Sequence, residues 1–293
     1  QLIDKLVDEA KAQEDNHTGG AEMGNSVGVG ADAGDALLAV HTYSDRIGDT
    51  NLWIGSRRAG RPPECWEGFD AILNVTKQEY DDMKAKGGWN RNDELFYLQL
   101  PVEEGKRDRT QLERWMPLGL LFLIHHLQQG RRVLVHCAQG KDRSVAVALI
   151  FVILGCSLRF PLTLREEFVR GPWPLPYLFQ NTANDPNHLE AKEEEETKPQ
   201  MHMSSGIPEA IVARLLDTGG KEIFLSWIHK QLGETSSSSN CSSGSSEKLE
   251  SLADKESVRI ALHLIRQDRD VADPTRSTMQ KINRFLMSST IYR

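Results

Sequence analysis

An α/β layer fold, with helices on the faces of a sheet, is the architecture this sequence predicts, and three observations lead to it. Strand-like and helix-like segments alternate between Thr42 and about Gly171. Within that stretch a short apolar strand runs through a tight loop straight into a wholly apolar helix. Amphipathic helical stripes then return from Glu256 onward. A content of 39% hydrophobic and 26% charged residues over 293 positions fits one large or two modest globular domains, and it excludes fibres, coiled-coil rods and short disulfide scaffolds.

The elements are justified in chain order. Residues 1–41 begin with a helical stripe at Leu2, Ile3, Leu6, Val7 and Ala10, followed by a Gly-rich linker from Gly19 to Gly34. Residues 42–170 form the expected core. Leu52 to Ile54 and Ala71 to Val75 read as strands, Gln78 to Lys86 as a short helix, and Leu95 to Leu100 as a third strand. Thr110 to Gln129 is an amphipathic helix, on which one of His125 and His126 is expected in the core and the other at the surface. Arg132 to His136 is a fourth strand, leading to a helix from Ser144 to Leu154.

Residues 171–253 change character. Pro172, Pro174 and Pro176, the acidic run Glu193 to Glu196 and the serine tract Ser236 to Ser246 read as solvated linkers, with a helical pair, Pro208 to Leu216 and Lys221 to Leu232, between them. Residues 254–293 supply two closing helices. Val258, Leu262 and Ile265 mark one stripe, Met279, Ile282, Phe285 and Leu286 the other, and Asp273 and Pro274 the turn between them.

Charge and cysteine usage narrow the function classes. The net charge of −7 argues against a general nucleic-acid binder, yet residues 42–170 and 254–293 together carry +5 while the remainder carries −12. An anionic ligand would therefore meet the folded core. The longest apolar run, Val145 to Leu154, falls short of the roughly 20 residues of a membrane span. Cys65, Cys137, Cys156 and Cys241 show no metal-ligand spacing, so a reducing compartment, cytoplasmic or nuclear, and no structural zinc are expected. Gln1 is no initiator Met, which suggests a fragment or processed piece.

The stretch VLVHCAQGKDRSVAVALIFVI carries the chemistry. His136 and Cys137 end a buried strand, and Arg143 and Ser144 open a buried helix. At such a junction backbone N–H groups converge, the helix dipole adds positive potential, and Gly140 supplies backbone freedom, so His136, Ala138, Gln139, Gly140, Lys141, Asp142, Arg143 and Ser144 form an anion cradle. Arg143 would clamp two phosphate oxygens with its fork. Cys137 in that field is expected as thiolate, with Ser144 assisting its departure. A structural role is expected for the Asp142 carboxylate, which would otherwise repel an anion, and a loop-supporting role for His136.

C-x5-R with a preceding His and a following Ser resembles the phosphate loop of the cysteine-dependent phosphatases. LWIGS near Trp53, AILNVT near Ile72, YLQLPVEE near Tyr97 and the final IRQDRDVADPTRSTMQKINRFLM are similar to blocks of the dual-specificity branch, with LWIGS as its first strand. The resemblance implies a cysteine-phosphatase-like mixed sheet flanked by helices. It also implies a general acid at Glu104, with Glu103 and Asp108 as rivals, and a second-phosphate role for Lys141. Lys106, Arg107 and Arg109 are candidate phosphate or RNA contacts, and Arg266, Arg269 and Arg276 could support the cradle from behind.

GKRDR after Glu104, the G-K-D loop and the DPTRSTMQKINRFLM ending resemble more narrowly the C-terminal half of the initiator-tRNA ribosylphosphate transferases. Such enzymes, by this resemblance, move phosphoribosyl from phosphoribosyl pyrophosphate, with Mg²⁺, to the 2′-hydroxyl of adenosine 64 of initiator tRNA. An upstream domain of the same polypeptide would take part, with no cofactor in this chain and no membrane. Arg143 departs from a family pattern that often lacks the loop arginine, which keeps open a dual-specificity or phosphoinositide-type phosphatase. A catalytically silent phosphate-binding module is the third alternative.

Overall fold

The computed structural model describes residues 42–81, 95–108, 110–166, 168, 205–216, 220–233 and 253–287. The helix and linker expected over 1–41, the Pro-punctuated stretch, the acidic run and the serine tract lie outside the described residues.

The strands are β1 (Ser44–Arg46), β2 (Leu52–Gly55), β3 (Ala71–Asn74), β4 (Phe96–Gln99) and β5 (Val133–His136), with a two-stranded ribbon of β6 (Cys156–Ser157) and β7 (Thr163–Leu164). The helices are α1 (Cys65–Gly68), α2 (Gln111–Gln128), α3 (Arg143–Gly155), α4 (Glu209–Leu216), α5 (Gly220–Gly233), α6 (Lys255–Asp268) and α7 (Arg276–Met287). The five-stranded sheet runs in the order β1-β2-β5-β3-β4. Only β1 is antiparallel to its neighbour. The carboxyl ends of β2, β3, β4 and β5 therefore share one edge, and the four loops that follow them converge there, where open α/β sheets bind ligands.

Alternation along the strands decides which side chain meets which layer. Ile54, Leu73, Leu98 and Val135 face the helices, while Ile72, Tyr97 and Leu134 face the opposite cluster of Ala59, Cys65 and Phe69. Every residue of α3 is buried, as its unbroken apolar sequence demands. It is the central helix, with α2, α6 and α7 packed around it. The α4 and α5 pair packs against α2 and places Ile211, Leu215, Phe224 and Trp227 in the same core.

Three expectations need correction. LWIGS is the second strand rather than the first, because the polar triplet Ser44–Arg46 forms an edge strand that no apolar alternation announces. Residues 78–80 are not helical. The Asn74 amide and the Thr76 hydroxyl both donate to the Gln78 carbonyl and hold that stretch as a loop; from residue 82 the expected helix lies outside the described residues. Both His125 and His126 are buried, since the segment at Ser205 to Ile207 covers the face expected at the surface. His126 is fixed by two bonds, its Nε2–H donating to the Ser205 carbonyl at 3.0 Å and its Nδ1 accepting from Arg131 at 2.9 Å. Among the described residues no helix is long and apolar enough to cross a membrane.

Candidate functional site

The register of the sheet delivers Cys137 to the ligand edge. His136 stands level with Gly55 of β2 and Asn74 of β3, so the next residue leaves the sheet at its rim, and the chain must turn within residues 137–142 to enter α3. Gly140 makes that turn possible with φ +71. A Cβ there would also stand 2.6 Å from the Gly55 carbonyl, so only glycine fits.

The inner face of the loop points donors at the sulfur. Cys137 Sγ accepts the Gly140 N–H at 3.2 Å and the Ser144 hydroxyl at 3.2 Å. Burial by itself pushes this thiol up, but the Ser144 hydroxyl, the Ser144 and Asp142 N–H groups and the Arg143 charge outweigh it and leave the thiol below its ordinary value. At Cys65 two backbone N–H groups are outweighed by burial, and at Cys156 burial outweighs the nearby Arg165 charge. Burial pushes Cys65 well up and Cys156 up to about 12.

The outer face is satisfied just as fully. The carbonyls of Ala138, Gly140 and Lys141 accept from the Arg57 N–H (3.2 Å), Arg269 Nε (2.8 Å) and the Asp273 N–H (3.0 Å) respectively. The Asp142 carboxylate turns away from the cradle and accepts the Thr275 N–H at 2.8 Å, which is the structural role its sequence position suggested. With carbonyls held outward, the N–H dipoles of the loop are left facing in, the arrangement of an anion nest. Gln139 and Lys141 are exposed at its rim.

Arg143 is 6% exposed and its fork is engaged from the acid loop: Nη1 donates to the Val102 carbonyl at 2.8 Å, and Nη2 to Glu104 Oε1 at 2.5 Å. Glu104 thus lies beside the cradle, its side chain 68% exposed apart from this bond. The rival acids do not. Asp108 is buried in an ion pair with Lys281 Nζ at 2.6 Å, and its other oxygen accepts the Gln111 N–H at the start of α2. As a candidate catalytic group it is therefore corrected to a structural one. Glu103 pairs with Lys77 at 2.5 Å, and that hydrogen bond holds its carboxyl below the usual carboxylate range, the wrong direction for a proton donor.

His136 stands behind the loop rather than in the cradle. Its ring lies against Gly60, on the face opposite α3, and burial pushes it down to about 4, opposed by a hydrogen bond with the Cys137 backbone. It supports the loop through its backbone, whose carbonyl accepts the Val75 N–H at 2.8 Å, and does not line the cradle. Arg107 is exposed on the turn Gly105–Arg107. Arg109 and the Lys106 side chain lie outside the described residues. Arg269 does brace the loop from behind, whereas Arg266 binds the Ala272 carbonyl and Asp273, and Arg276 is exposed on α7.

Two contributors, Lys281 and the Arg57 N–H, were not among the expected site residues. Lys281 sits on the buried stripe of α7 with Thr278, Ile282 and Phe285. A lysine on an apolar stripe calls for a buried acid, but nothing local in the sequence says which one. The Arg57 backbone contact has no sequence signal at all.

Comparison with known proteins follows this geometry. The family described as the Rit1 DUSP-like domain matches residues 96–164 and 200–286, just over half of the chain. Dual specificity protein phosphatase 9 of Homo sapiens is 30% identical over 105 residues, 35% of this chain, and the chain spans only 25% of that relative's length. Among solved structures, the Yvh1 phosphatase domain from Chaetomium thermophilum is similar at TM-score 0.39 and 17% identity, over 82% of this chain and 92% of that one. The human tyrosine phosphatase-like serine/threonine/tyrosine-interacting protein is similar at TM-score 0.39 and 12% identity, over 83% and 94%.

Proposed function

Because the chain belongs to the Rit1 DUSP-like domain family, we propose that it is the phosphate-docking part of a transferase. That enzyme moves phosphoribosyl from phosphoribosyl pyrophosphate to the 2′-hydroxyl of adenosine 64 of initiator tRNA, in the cytoplasm or nucleus. The observation that carries this reading is a mismatch within the site. The cradle has its donors in place, while the two rival acids, Asp108 and Glu103, are held in ion pairs with Lys281 and Lys77, and Glu104 is bonded to Arg143. Oxyanion docking needs only the first half of that pair; hydrolysis of a phosphate ester also needs a free proton donor.

In the transfer, the ribose 2′-oxygen bonds to the donor's anomeric carbon, the bond from that carbon to pyrophosphate breaks, and the hydroxyl proton is released. No thiolate takes part. The loop N–H groups, Lys141 and Arg143 hold a phosphate of the donor or the tRNA, with Arg143 exchanging Glu104 for a phosphate oxygen. Magnesium would enter with the pyrophosphate donor, as part of the substrate. Among the described residues no group of three or more His, Cys, Asp or Glu side chains is placed to hold a metal ion. An upstream domain of the same polypeptide completes the substrate sites.

The lowered Cys137 thiol favours a second reading, a phosphatase in which the thiolate attacks phosphorus, Arg143 steadies the equatorial oxygens and Glu104 is the acid. Transfer to initiator tRNA by the full-length protein separates the two. Docking predicts transfer that survives Cys137→Ser and falls at least tenfold with Arg143→Ala, since a bidentate charged clamp is lost. Absence of any tRNA product from the unmodified full-length protein would overturn it.

A further inference from the structure

The cradle is met from behind by a residue 129 positions away in the chain. Arg269, at the end of α6 and 5% exposed, donates from Nε to the Gly140 carbonyl at 2.8 Å, and its Nη1 pairs with the Asp45 carboxylate on β1. Gly140 is the residue whose N–H points at the Cys137 sulfur. The peptide planes on either side of Gly140 are coupled through its φ of +71, so a carbonyl held outward and an N–H held inward are one conformation.

We propose that Arg269 is a positioning residue of the anion site, holding Gly140 in the conformation that aims its N–H into the cradle. This rests on the docking reading only in taking the loop as an oxyanion site; it holds for either reaction. Asp45 has a distinct part. It neutralises Arg269, so the pair shapes the loop without adding net charge behind it, and it orients the guanidinium toward the carbonyl. The adjoining turn completes the brace, through the Asp273 N–H on the Lys141 carbonyl and the Thr275 N–H on the Asp142 carboxylate. The closing segment of the chain is thereby built into the site that a much earlier loop forms.

Two substitutions should move the site in opposite directions. Arg269→Met removes the donor and keeps an apolar stem. The Gly140 peptide is then free to turn, the sulfur loses an N–H, and the alkylation midpoint of Cys137 rises by about one pH unit. Protection of Cys137 by tungstate weakens about tenfold, the scale of one lost charge-assisted hydrogen bond. Arg269→Lys recovers part of both effects, because one N–H can still reach the carbonyl. Asp45→Asn keeps an accepting oxygen for Arg269 but leaves its charge uncompensated near the loop, so the midpoint falls and tungstate protection is kept or strengthened.

The experiment uses the chain with its other cysteines present, pH-dependent alkylation read by peptide mapping, tungstate as the probe, and circular dichroism to confirm folding. Arg259→Ala, which removes an exposed pair with Glu256, is the control and should match the wild type. Opposite shifts in Arg269→Met and Asp45→Asn support the proposal. A folded Arg269→Met with wild-type midpoint and protection would overturn it, as would equal shifts in the same direction. Should Arg269→Met not fold, Asp45→Asn decides: an unchanged or raised midpoint overturns the proposal. A wild-type thiol that tungstate does not protect would instead overturn the anion-site reading, and this proposal with it.

Discussion

Asp108→Asn distinguishes a proton donor from a structural anchor. The Asp108 and Lys281 side chains are 4% and 7% exposed, and Nζ also donates to the Asp108 carbonyl at 2.8 Å. Asparagine still caps the start of α2, because its side-chain oxygen can accept the Gln111 N–H, so no loss of capping enters the balance. What remains is a buried ammonium without its counter-charge, which destabilises by about 3–5 kcal/mol. The retained bond to the Asp108 carbonyl places the expected loss at the low end, about 3 kcal/mol. Urea unfolding followed by tryptophan fluorescence measures it, with Trp115 and Trp227 as buried reporters. Adding Lys281→Met removes the orphaned charge, and the double variant should regain at least half of the loss. A loss below about 1 kcal/mol, or a double variant no better than the single one, would refute the anchor assignment and return Asp108 to the candidate acids.

Gly140→Ala should lower stability by about 2–3 kcal/mol and abolish tungstate protection of Cys137, because φ is +71 there and the added carbon meets the Gly55 carbonyl and Arg269. Urea unfolding and competitive alkylation check both effects. Cys137 should be the first thiol alkylated at neutral pH, ahead of Cys65 and Cys156, whose burial pushes them up; equal labelling of Cys65 and Cys137 would contradict this. Stability should also fall with acid. Burial holds the folded His126 and His136 rings down at about 3 and about 4, against an ordinary 6.5. Their contribution is therefore complete above about pH 6.5 and is lost as pH falls toward 4, since the unfolded chain binds those protons first, with a slope of up to about 2.7 kcal/mol per pH unit. A flat unfolding free energy between pH 6.5 and 4.5 would speak against it.

How much of this was legible in the sequence depended on whether the deciding contacts were local. The wholly apolar run Val145 to Leu154 could be little else than a core helix, and the strand, loop and helix order around Cys137 marks the cradle within the sequence itself. Edge strand β1 was invisible because a triplet that reads Ser-Asp-Arg has no alternating apolar face; its partner β2 decides its conformation. The acid loop was ambiguous for a related reason. Glu103, Glu104 and Asp108 are alike in sequence, and only the distant cations Lys77, Arg143 and Lys281 sort them. Likewise one of His125 and His126 reads as a surface position on α2 until the segment at Ser205 folds over that face. Long-range ion pairs and covering segments leave no local period, so pattern reading cannot find them.

The docking account is tested most directly by turnover of an aryl phosphate by this chain, measured beside tungstate protection of Cys137 in the same preparation. It predicts a protected thiol with weak or absent hydrolysis, because the oxyanion site is assembled while its neighbouring acids are bound to cations. Robust hydrolysis that Cys137→Ser abolishes would contradict it and make the chain a phosphatase.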